Sequence, residues 1–168
     1  MKRGPVKGLL MLGDQRLYQV CSEITPAEMV MVDEWKRILA SIMAEIRERY
    51  NFGRAIAAPQ AGIMKRLIYF DTGDPFAMIN PVIAWKSDEM IELWDDCMSL
   101  PNLLVKVERH RHITVRYHDE KMQPHEVDYS DDASELFQHE FDHLNGILCT
   151  MRALNNRSFR WREPDISR

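Results

Sequence analysis

Late in the chain stands the stretch Gln138-His139-Glu140-Phe141-Asp142-His143-Leu144-Asn145-Gly146, in which two histidines are four positions apart. On a helix, His139 and His143 would share one face, one turn and about 6 Å apart along the axis. Two imidazoles in that arrangement can bind one metal ion, and Glu140 would stand beside them as a proton acceptor. The stretch therefore predicts a helix that carries a metal site.

The sequence predicts two amphipathic helices. The C-terminal helix begins near Asp132, which stands in N-cap relation to Glu135, and ends near Gly146. An N-terminal helix begins at Thr25-Pro26-Ala27-Glu28, a capping box with Pro at the first helical position, and runs to about Tyr50. Apolar residues recur in it every three or four positions, which is typical of a helix packed on a core.

The middle of the chain is rich in short strand-like runs. They cover residues 67–70, 82–85, 90–94, 103–107 and 112–117. Turn signals separate them, among them Gly73-Asp74-Pro75, Asn80-Pro81 and Pro101-Asn102. We therefore predict an α+β fold in which antiparallel β-sheets pack around the C-terminal metal-binding helix, with the amphipathic helix at the N-terminal side.

The composition fits one compact domain. The chain has 168 residues, of which 45% are hydrophobic and 29% charged, and its net charge is −4. We predict a single domain over residues 1–168 and exclude the broad basic surface that DNA-binding proteins use. No apolar stretch approaches the roughly 18 residues of a membrane-spanning helix, so no membrane partner is expected.

The cysteines indicate a reducing compartment. Cys21, Cys97 and Cys149 are too few, and odd in number, for a disulfide framework. We expect the cytoplasm, or an organelle matrix in a eukaryote.

The polar tail over residues 155–168 carries several arginines. It is interpreted as a solvated terminus, and contact with a polyanion such as ribosomal RNA is the alternative.

A catalytic metal site takes three protein ligands, so the two histidines need a third. Cys149 follows His143 by six residues, the spacing at which one class of metalloproteases places its third ligand. Cys97 lies 42 residues upstream of His139 in a polar setting beside Asp95 and Asp96. A lone cysteine is more often core packing, an interpretation that suits Cys149 better because Ile and Leu precede it. The residues alone leave both candidates open.

A further stretch joins small residues to a glutamine. It reads Gly53-Arg54-Ala55-Ile56-Ala57-Ala58-Pro59-Gln60. Small residues let a backbone approach another chain closely, and the Gln60 amide can donate a hydrogen bond. By itself this stretch predicts a tight turn and no more.

Taken in order, three segments resemble those of the peptide deformylase family. The family patterns are Gly-x-Gly-Leu-Ala-Ala-x-Gln, Glu-Gly-Cys-Leu-Ser and Gln-His-Glu-x-Asp-His-Leu-x-Gly. They correspond here to residues 53–60, to Asp95-Asp96-Cys97-Met98-Ser99 and to residues 138–146, and the last matches at every fixed position. Gly13-Asp14-Gln15-Arg16-Leu17 and the helix after Pro26 are also similar to the family, so the resemblance covers most of the chain.

The resemblance implies a metal site with Cys97, rather than Cys149, as the third ligand. Cys97, His139 and His143 would hold one divalent metal, Fe²⁺ in many family members and Zn²⁺, Ni²⁺ or Co²⁺ in others. The implied function is removal of the formyl group from the N-terminal methionine of newly made peptides. N-formyl peptides or nascent chains are therefore the expected partners.

The resemblance also implies how the reaction proceeds. A metal-bound hydroxide would attack the formyl carbon, and Glu140 would move the water proton to the departing amine. Gln60 and the backbone N–H of Met98 would stabilise the oxyanion.

The family's substrate-binding residues can be carried over in the same way. Gly53, Ala55 and the strand around Asp96 would pair with the substrate backbone as an added β-strand. Arg109 would pair with Asp95 and support the metal site.

Several positions depart from the family patterns. Asp95 replaces Glu, Asp96 and Ala55 replace Gly, Arg54 adds a long cation, and Leu104 stands where many members carry Arg. Because the ligands and the catalytic groups are kept, we expect the hydrolytic chemistry to be retained, with an altered or weakened substrate preference.

Three alternatives remain at this point. They are a divergent hydrolase with a changed N-acyl peptide substrate, a metallopeptidase built on His139, His143 and Cys149, and an inactive metal-binding homologue. The intact Glu140 argues against the last, since metal binding alone needs no general base.

Overall fold

The computed structural model describes residues 6–162 of the chain. In this part of the chain there are two α-helices, α1 (Val32–Tyr50) and α2 (Asp131–Leu144). A 3₁₀ turn at Pro26–Met31 leads into α1, and at its start the Thr25 N–H donates to the Glu28 carboxylate at 2.9 Å. The predicted capping box is therefore present, and α1 ends at Tyr50 as predicted.

The strands among residues 6–162 form two antiparallel sheets. They are β1 (Ala55–Ala57), β2 (Leu67–Phe70), β3 (Phe76–Lys86), β4 (Met90–Asp96), β5 (Leu103–His110), β6 (His112–His118), β7 (Pro124–Ser130) and β8 (Phe159–Trp161). The first sheet has the order β1-β2-β3-β6-β7 and the second the order β4-β5-β8. The predicted α+β class with antiparallel sheets is confirmed.

The predicted turn at Asn80-Pro81 is wrong, because both residues lie inside β3. The register of β3 against β6 shifts between Ile79 and Val82, and Asn80 adopts a left-handed φ of 50°. The Asn80 side chain accepts from the Ile24 N–H at 2.8 Å and donates to its carbonyl at 2.9 Å. The Asn-Pro pair therefore forms a bulge within β3, and the two hydrogen bonds between Asn80 and Ile24 stabilise it.

The described part of the tail is mostly exposed, in line with the predicted solvated tail, but it contains a strand that the sequence analysis did not predict. Phe159 of β8 pairs with Val105 of β5, and the Arg160 guanidinium lies 4.2 Å from the centre of the Trp94 ring. A three-residue strand has too little alternation to be seen in the sequence. Residues 163–168 of the predicted tail lie outside the described part.

Helix α2 packs between the two sheets. Its Phe137 and Leu144 are fully buried in a cluster with residues of the five-stranded sheet such as Ile68. On the other side, Gln138 hydrogen-bonds both backbone groups of His110 in β5, at 3.0 and 2.8 Å. The polar face of α2 is thereby held against the three-stranded sheet, which positions the site.

No helix within residues 6–162 has the length and apolar character needed to cross a membrane.

Candidate active site

Three potential metal ligands converge in the interior. Cys97 follows β4 directly, and His139 and His143 lie one turn apart on α2. Their ligand atoms all lie within 4.8 Å of one another, and each residue is at most 5% exposed. The Cys97 Sγ is 3.3 Å from the His143 Nε2. One thiolate and two imidazoles are a donor set that suits divalent iron, zinc, cobalt or nickel, so these residues fit a divalent metal.

Asp95 orients one of the histidines. Its carboxylate lies 2.7 Å from the His139 Nδ1 and accepts from the Arg109 guanidinium at 2.8 Å. Burial opposes a charged Asp95, but His139 and Arg109 outweigh it and hold the pKa of this carboxyl at about 2. With its Nδ1 engaged, His139 presents Nε2 to the other ligands. The predicted pair of Asp95 and Arg109 is present.

A second carboxylate completes this buried network. Asp142 of α2 accepts from Arg109 at 2.5 Å and from Arg152 at 2.8 Å. The sequence analysis matched Asp142 to a motif but gave it no role, and it did not single out Arg152. The available signal was the acidic residue inside the motif, three positions after His139 and so on the same side of the helix, from which it reaches Arg109.

Glu140 is a buried carboxyl close to the ligands. It is 4% exposed, and its Oε2 has no hydrogen-bond partner within residues 6–162. Burial raises the pKa of Glu140 to about 7; His139 opposes this shift, and Asp95 adds to it. A carboxyl with such a pKa can accept and return a proton near neutral pH.

Gln60 is held with its amide toward the thiol. Its Oε1 accepts from the Ala57 N–H at 3.0 Å, which leaves Nε2 as the outward donor. That nitrogen lies 3.6 Å from the Cys97 Sγ and 3.2 Å from the Ser99 Oγ. Ser99, which is fully buried, therefore helps to orient Gln60, a role that the sequence analysis missed.

Gly53 has a backbone conformation that favours glycine and lies close to Met98. Its φ is +128°, and a Cβ added there would lie 2.9 Å from the Met98 Cε. This close approach brings the Gly53 segment to the residue that follows Cys97.

A cleft of about 250 Å³ opens in front of these groups. It is lined by Phe52, Gly53, Arg54, Ala55, Asp96, Met98, Glu135, Leu136, His139 and Glu140. The structure thus brings the predicted substrate-binding residues Gly53, Ala55 and Asp96 to one cleft. Ala55 belongs to β1 and Asp96 to β4, and each of these strands is the edge of its sheet. Both edges can therefore accept an extended peptide.

Comparisons with known proteins agree with this geometry. The family model for polypeptide deformylases matches residues 6–158. The peptide deformylase of Pseudothermotoga lettingae is 32% identical over 164 residues, which cover 96% of this chain and 91% of the relative. That of Synechocystis is 36% identical over 150 residues, which cover 86% of this chain and 77% of the relative. The chain belongs to the polypeptide deformylase family.

Solved deformylase structures share the fold. The crystal structure from Thermotoga maritima has a TM-score of 0.77 at 31% identity and covers 88% of this chain and 97% of its own. That from Synechococcus elongatus, in complex with actinonin, has a TM-score of 0.77 at 29% identity and covers 93% and 82%. The predicted enzyme class, a hydrolase that removes N-formyl groups from newly made peptides, is confirmed by this family membership.

Cys149 is not part of the metal-capable group of this deformylase, as far as residues 6–162 show. It is 2% exposed and packs in one cluster with Cys97, Val105 and Val107. Burial raises the pKa of the Cys149 thiol, as it raises that of Cys21 to about 11. The metallopeptidase alternative, which needs Cys149 as a ligand, is therefore wrong.

The departures from the family patterns meet at the cleft. The Arg54 guanidinium lies 2.5 Å from Asp132 and 3.3 Å from Glu135. The predicted N-cap at Asp132 is wrong, because Ser130 occupies the N-cap position and α2 begins at Asp131. The carboxylates of Asp132 and Glu135 instead face Arg54 across the cleft.

The second departure, Asp96, is paired as well. Its carboxylate contacts the Arg162 guanidinium, which lies 4.3 Å from the centre of the Phe52 ring. Sequence analysis missed Phe52 and Glu135 as cleft residues and Arg162 as the partner of Asp96, because only the fold brings these residues together.

Proposed function

We propose that this chain removes the formyl group from the N-terminal methionine of newly made peptides with one divalent metal held by Cys97, His139 and His143. The observation that carries the proposal is the convergence of these residues next to Glu140, in a cleft between two strand edges. Fe²⁺ is the proposed native metal, and the donor set also suits Zn²⁺, Ni²⁺ and Co²⁺. When bound, such a metal lowers the pKa of water and polarises a carbonyl group.

Glu140 moves the proton. Its unpartnered Oε2 takes a proton from the attacking water and delivers it to the departing amine, which leaves formate and a free amino terminus. The buried position keeps the carboxyl from being solvated and supports a pKa that suits both directions of transfer.

Gln60 and Met98 stabilise the charge that develops on the formyl oxygen. Because the Gln60 Oε1 is engaged by the Ala57 N–H, its Nε2 remains oriented toward the ligand side. The backbone N–H of Met98, directly after Cys97, is the second donor. Donors that are held in place before the reaction need no reorganisation during it.

The substrate binds as an added strand. The free edges of β1 and β4 flank the cleft through Ala55 and Asp96, so backbone N–H and C=O groups of a peptide can pair there. Gly53 permits the close approach at one end.

We place this activity in the cytoplasm, or in an organelle matrix of a eukaryote. The cysteines of the described part, Cys21, Cys97 and Cys149, are all free, and oxidation of Cys97 would remove a ligand. A contact of the tail with the ribosome stays a prediction. Arg160 and Arg162 are already engaged with Trp94 and Asp96, so such a contact would depend on other residues of the tail.

The test is formate release from formyl-methionyl peptides after anaerobic purification with Fe²⁺ or Ni²⁺. We expect turnover in the wild type and a loss of about 100-fold or more in Glu140→Gln, which keeps the size of the side chain and removes its basicity. Wild-type protein that contains one metal per chain and releases no formate would contradict the proposal.

A further inference from the structure

The cleft has an acidic side wall that the proposed reaction does not need. Glu135 and Asp96 line it, and both also line an adjoining pocket of about 380 Å³. Asp132 lies in the wall of that second pocket, and Arg54 lines both. Because the cleft also contains His139 and Glu140, this wall lies beside the place where a peptide would be hydrolysed.

The charges on this wall do not cancel. Three carboxylates, those of Asp96, Asp132 and Glu135, face two guanidinium groups, those of Arg54 and Arg162. Arg54 is shared, and its contact to Glu135 is the longer one, at 3.3 Å against 2.5 Å to Asp132. Among these five side chains one negative charge is therefore left over.

Glu135 is also the most buried of the three carboxylates. Its side chain is 11% exposed, whereas that of Asp132 is 81% exposed and that of Asp96 36%. Burial raises the pKa of Glu135 and Asp95 adds to the effect, while His139, Arg54 and Arg109 offset it only in part. A buried carboxylate with incomplete pairing gains from a further cation.

The rest of the adjoining pocket is apolar. Ile91, Leu93 and Trp94 line it next to Asp96 and Glu135. A lysine or arginine side chain matches this combination, since its methylene stem can pack on apolar walls while its charged end reaches a carboxylate. An acidic side chain would be repelled, and an apolar one would cover the ion pairs without forming hydrogen bonds.

We propose that this deformylase prefers formyl-methionyl peptides whose second residue carries a cationic side chain. The proposal rests on the proposed deformylase function, in which the first residue is methionine.

The experiment compares kcat/KM for three substrates with the reconstituted full chain. They are formyl-Met-Lys, formyl-Met-Ala and formyl-Met-Glu peptide amides. We expect formyl-Met-Lys to exceed formyl-Met-Ala by about fivefold at low salt, and formyl-Met-Glu to fall below it. The difference should lie in KM and shrink in about 0.5 M salt because screening weakens the attraction.

Glu135→Gln should bring the ratio of lysine to alanine substrate close to one. The matched control is Glu126→Gln, the same change at an exposed residue of β7, at the far edge of the sheet from β1. It should leave the ratio unchanged. Equal kcat/KM for lysine, alanine and glutamate peptides, or a lysine preference that survives Glu135→Gln, would overturn the inference while leaving the deformylase function intact.

A binding measurement separates the two proposals. Unformylated Met-Lys and Met-Ala amides are titrated into the same protein by calorimetry. If no peptide releases formate, the deformylase proposal fails. The titration then still shows whether the cleft binds a peptide with a cationic second residue more tightly. Tighter binding of Met-Lys supports a cationic site, and equal binding of the two peptides overturns it.

Discussion

Arg162 is ion-paired with Asp96, which connects the residue after β8 to the end of β4 beside the candidate metal ligand Cys97. The same guanidinium lies over the Phe52 ring, so one side chain joins β4 to the segment that precedes β1. Asp96, which departs from the quoted family pattern, is thereby paired with an arginine beyond the matched range 6–158.

This pair should show measurable coupling. In a double-mutant cycle with Asp96→Asn and Arg162→Gln, we expect a coupling of about 0.5–1 kcal/mol in the free energy of unfolding, since the pair is half-buried. Urea denaturation of the four proteins measures it. Arg157→Gln, an exposed change on the same segment, should show no coupling with Asp96→Asn; equal coupling in both cycles would argue against the pair.

The two buried cysteines should differ in metal binding. We expect Cys97→Ser to lose most of the bound metal, because a hydroxyl is a far poorer ligand than a thiolate. Cys149→Ser should keep one metal per chain and lose about 1–2 kcal/mol of stability, since it buries a hydroxyl among apolar groups. Metal content after anaerobic purification checks both. Loss of metal in Cys149→Ser but not in Cys97→Ser would show that Cys149, and not Cys97, is the ligand.

Metal removal should lower the thermal midpoint. A ligand present at about 100 times its Kd stabilises the native state by about 2.7 kcal/mol, and a strong chelator abolishes that contribution. Thermal denaturation with and without chelator measures the shift. Cys97→Ser serves as the control, and its thermal midpoint should change little on addition of chelator. An equal shift in Cys97→Ser and the wild type would mean that the metal binds elsewhere.

Arg109 should be far more important for stability than an exposed arginine. Arg109→Met leaves Asp95 without its guanidinium partner and Asp142 with Arg152 alone, both in the interior. We expect a loss of about 3–5 kcal/mol. Arg116→Met removes an exposed pair with Glu126 and should cost about 1 kcal/mol or less. Similar losses of unfolding free energy in Arg109→Met and Arg116→Met, measured by urea denaturation, would contradict the stabilising role of the buried network.

Substitutions at two glycines distinguish the cost of backbone strain from the cost of a steric contact. Gly53 and Gly13 both have positive φ, +128° and +104°, but a Cβ at Gly13 would meet nothing within 4 Å among the described residues. Gly13→Ala should cost about 1–2 kcal/mol from its backbone conformation alone. Gly53→Ala should cost more, because its Cβ would also meet Met98. Formate release should fall in Gly53→Ala only. Equal effects of both changes would show that the contact with Met98 does not contribute.

Local sequence was sufficient for the parts of the site that follow from one element. The spacing of His139 and His143 defines a shared helix face, and the box at Thr25 and Glu28 marks the start of the 3₁₀ turn that leads into α1. Cys97 needed the resemblance, because 42 residues separate it from His139 and no periodicity connects a strand end to a helix. Three strands were not predicted: β1 and β8 have only three residues and so no period, and β7 is exposed along most of its length and has no buried apolar face.

The sequence by itself determined the α+β class and, through the family resemblance, the candidate ligands and the candidate proton-transfer group, because these follow from helix periodicity and from motifs with a defined order. Only the tertiary structure decided the character of the cleft. Arg54 meets Glu135 across 81 residues, and Asp96 meets Arg162 across 66. Pairings over such distances depend on how α2 and β8 are packed against the sheet edges, and no local pattern encodes that packing.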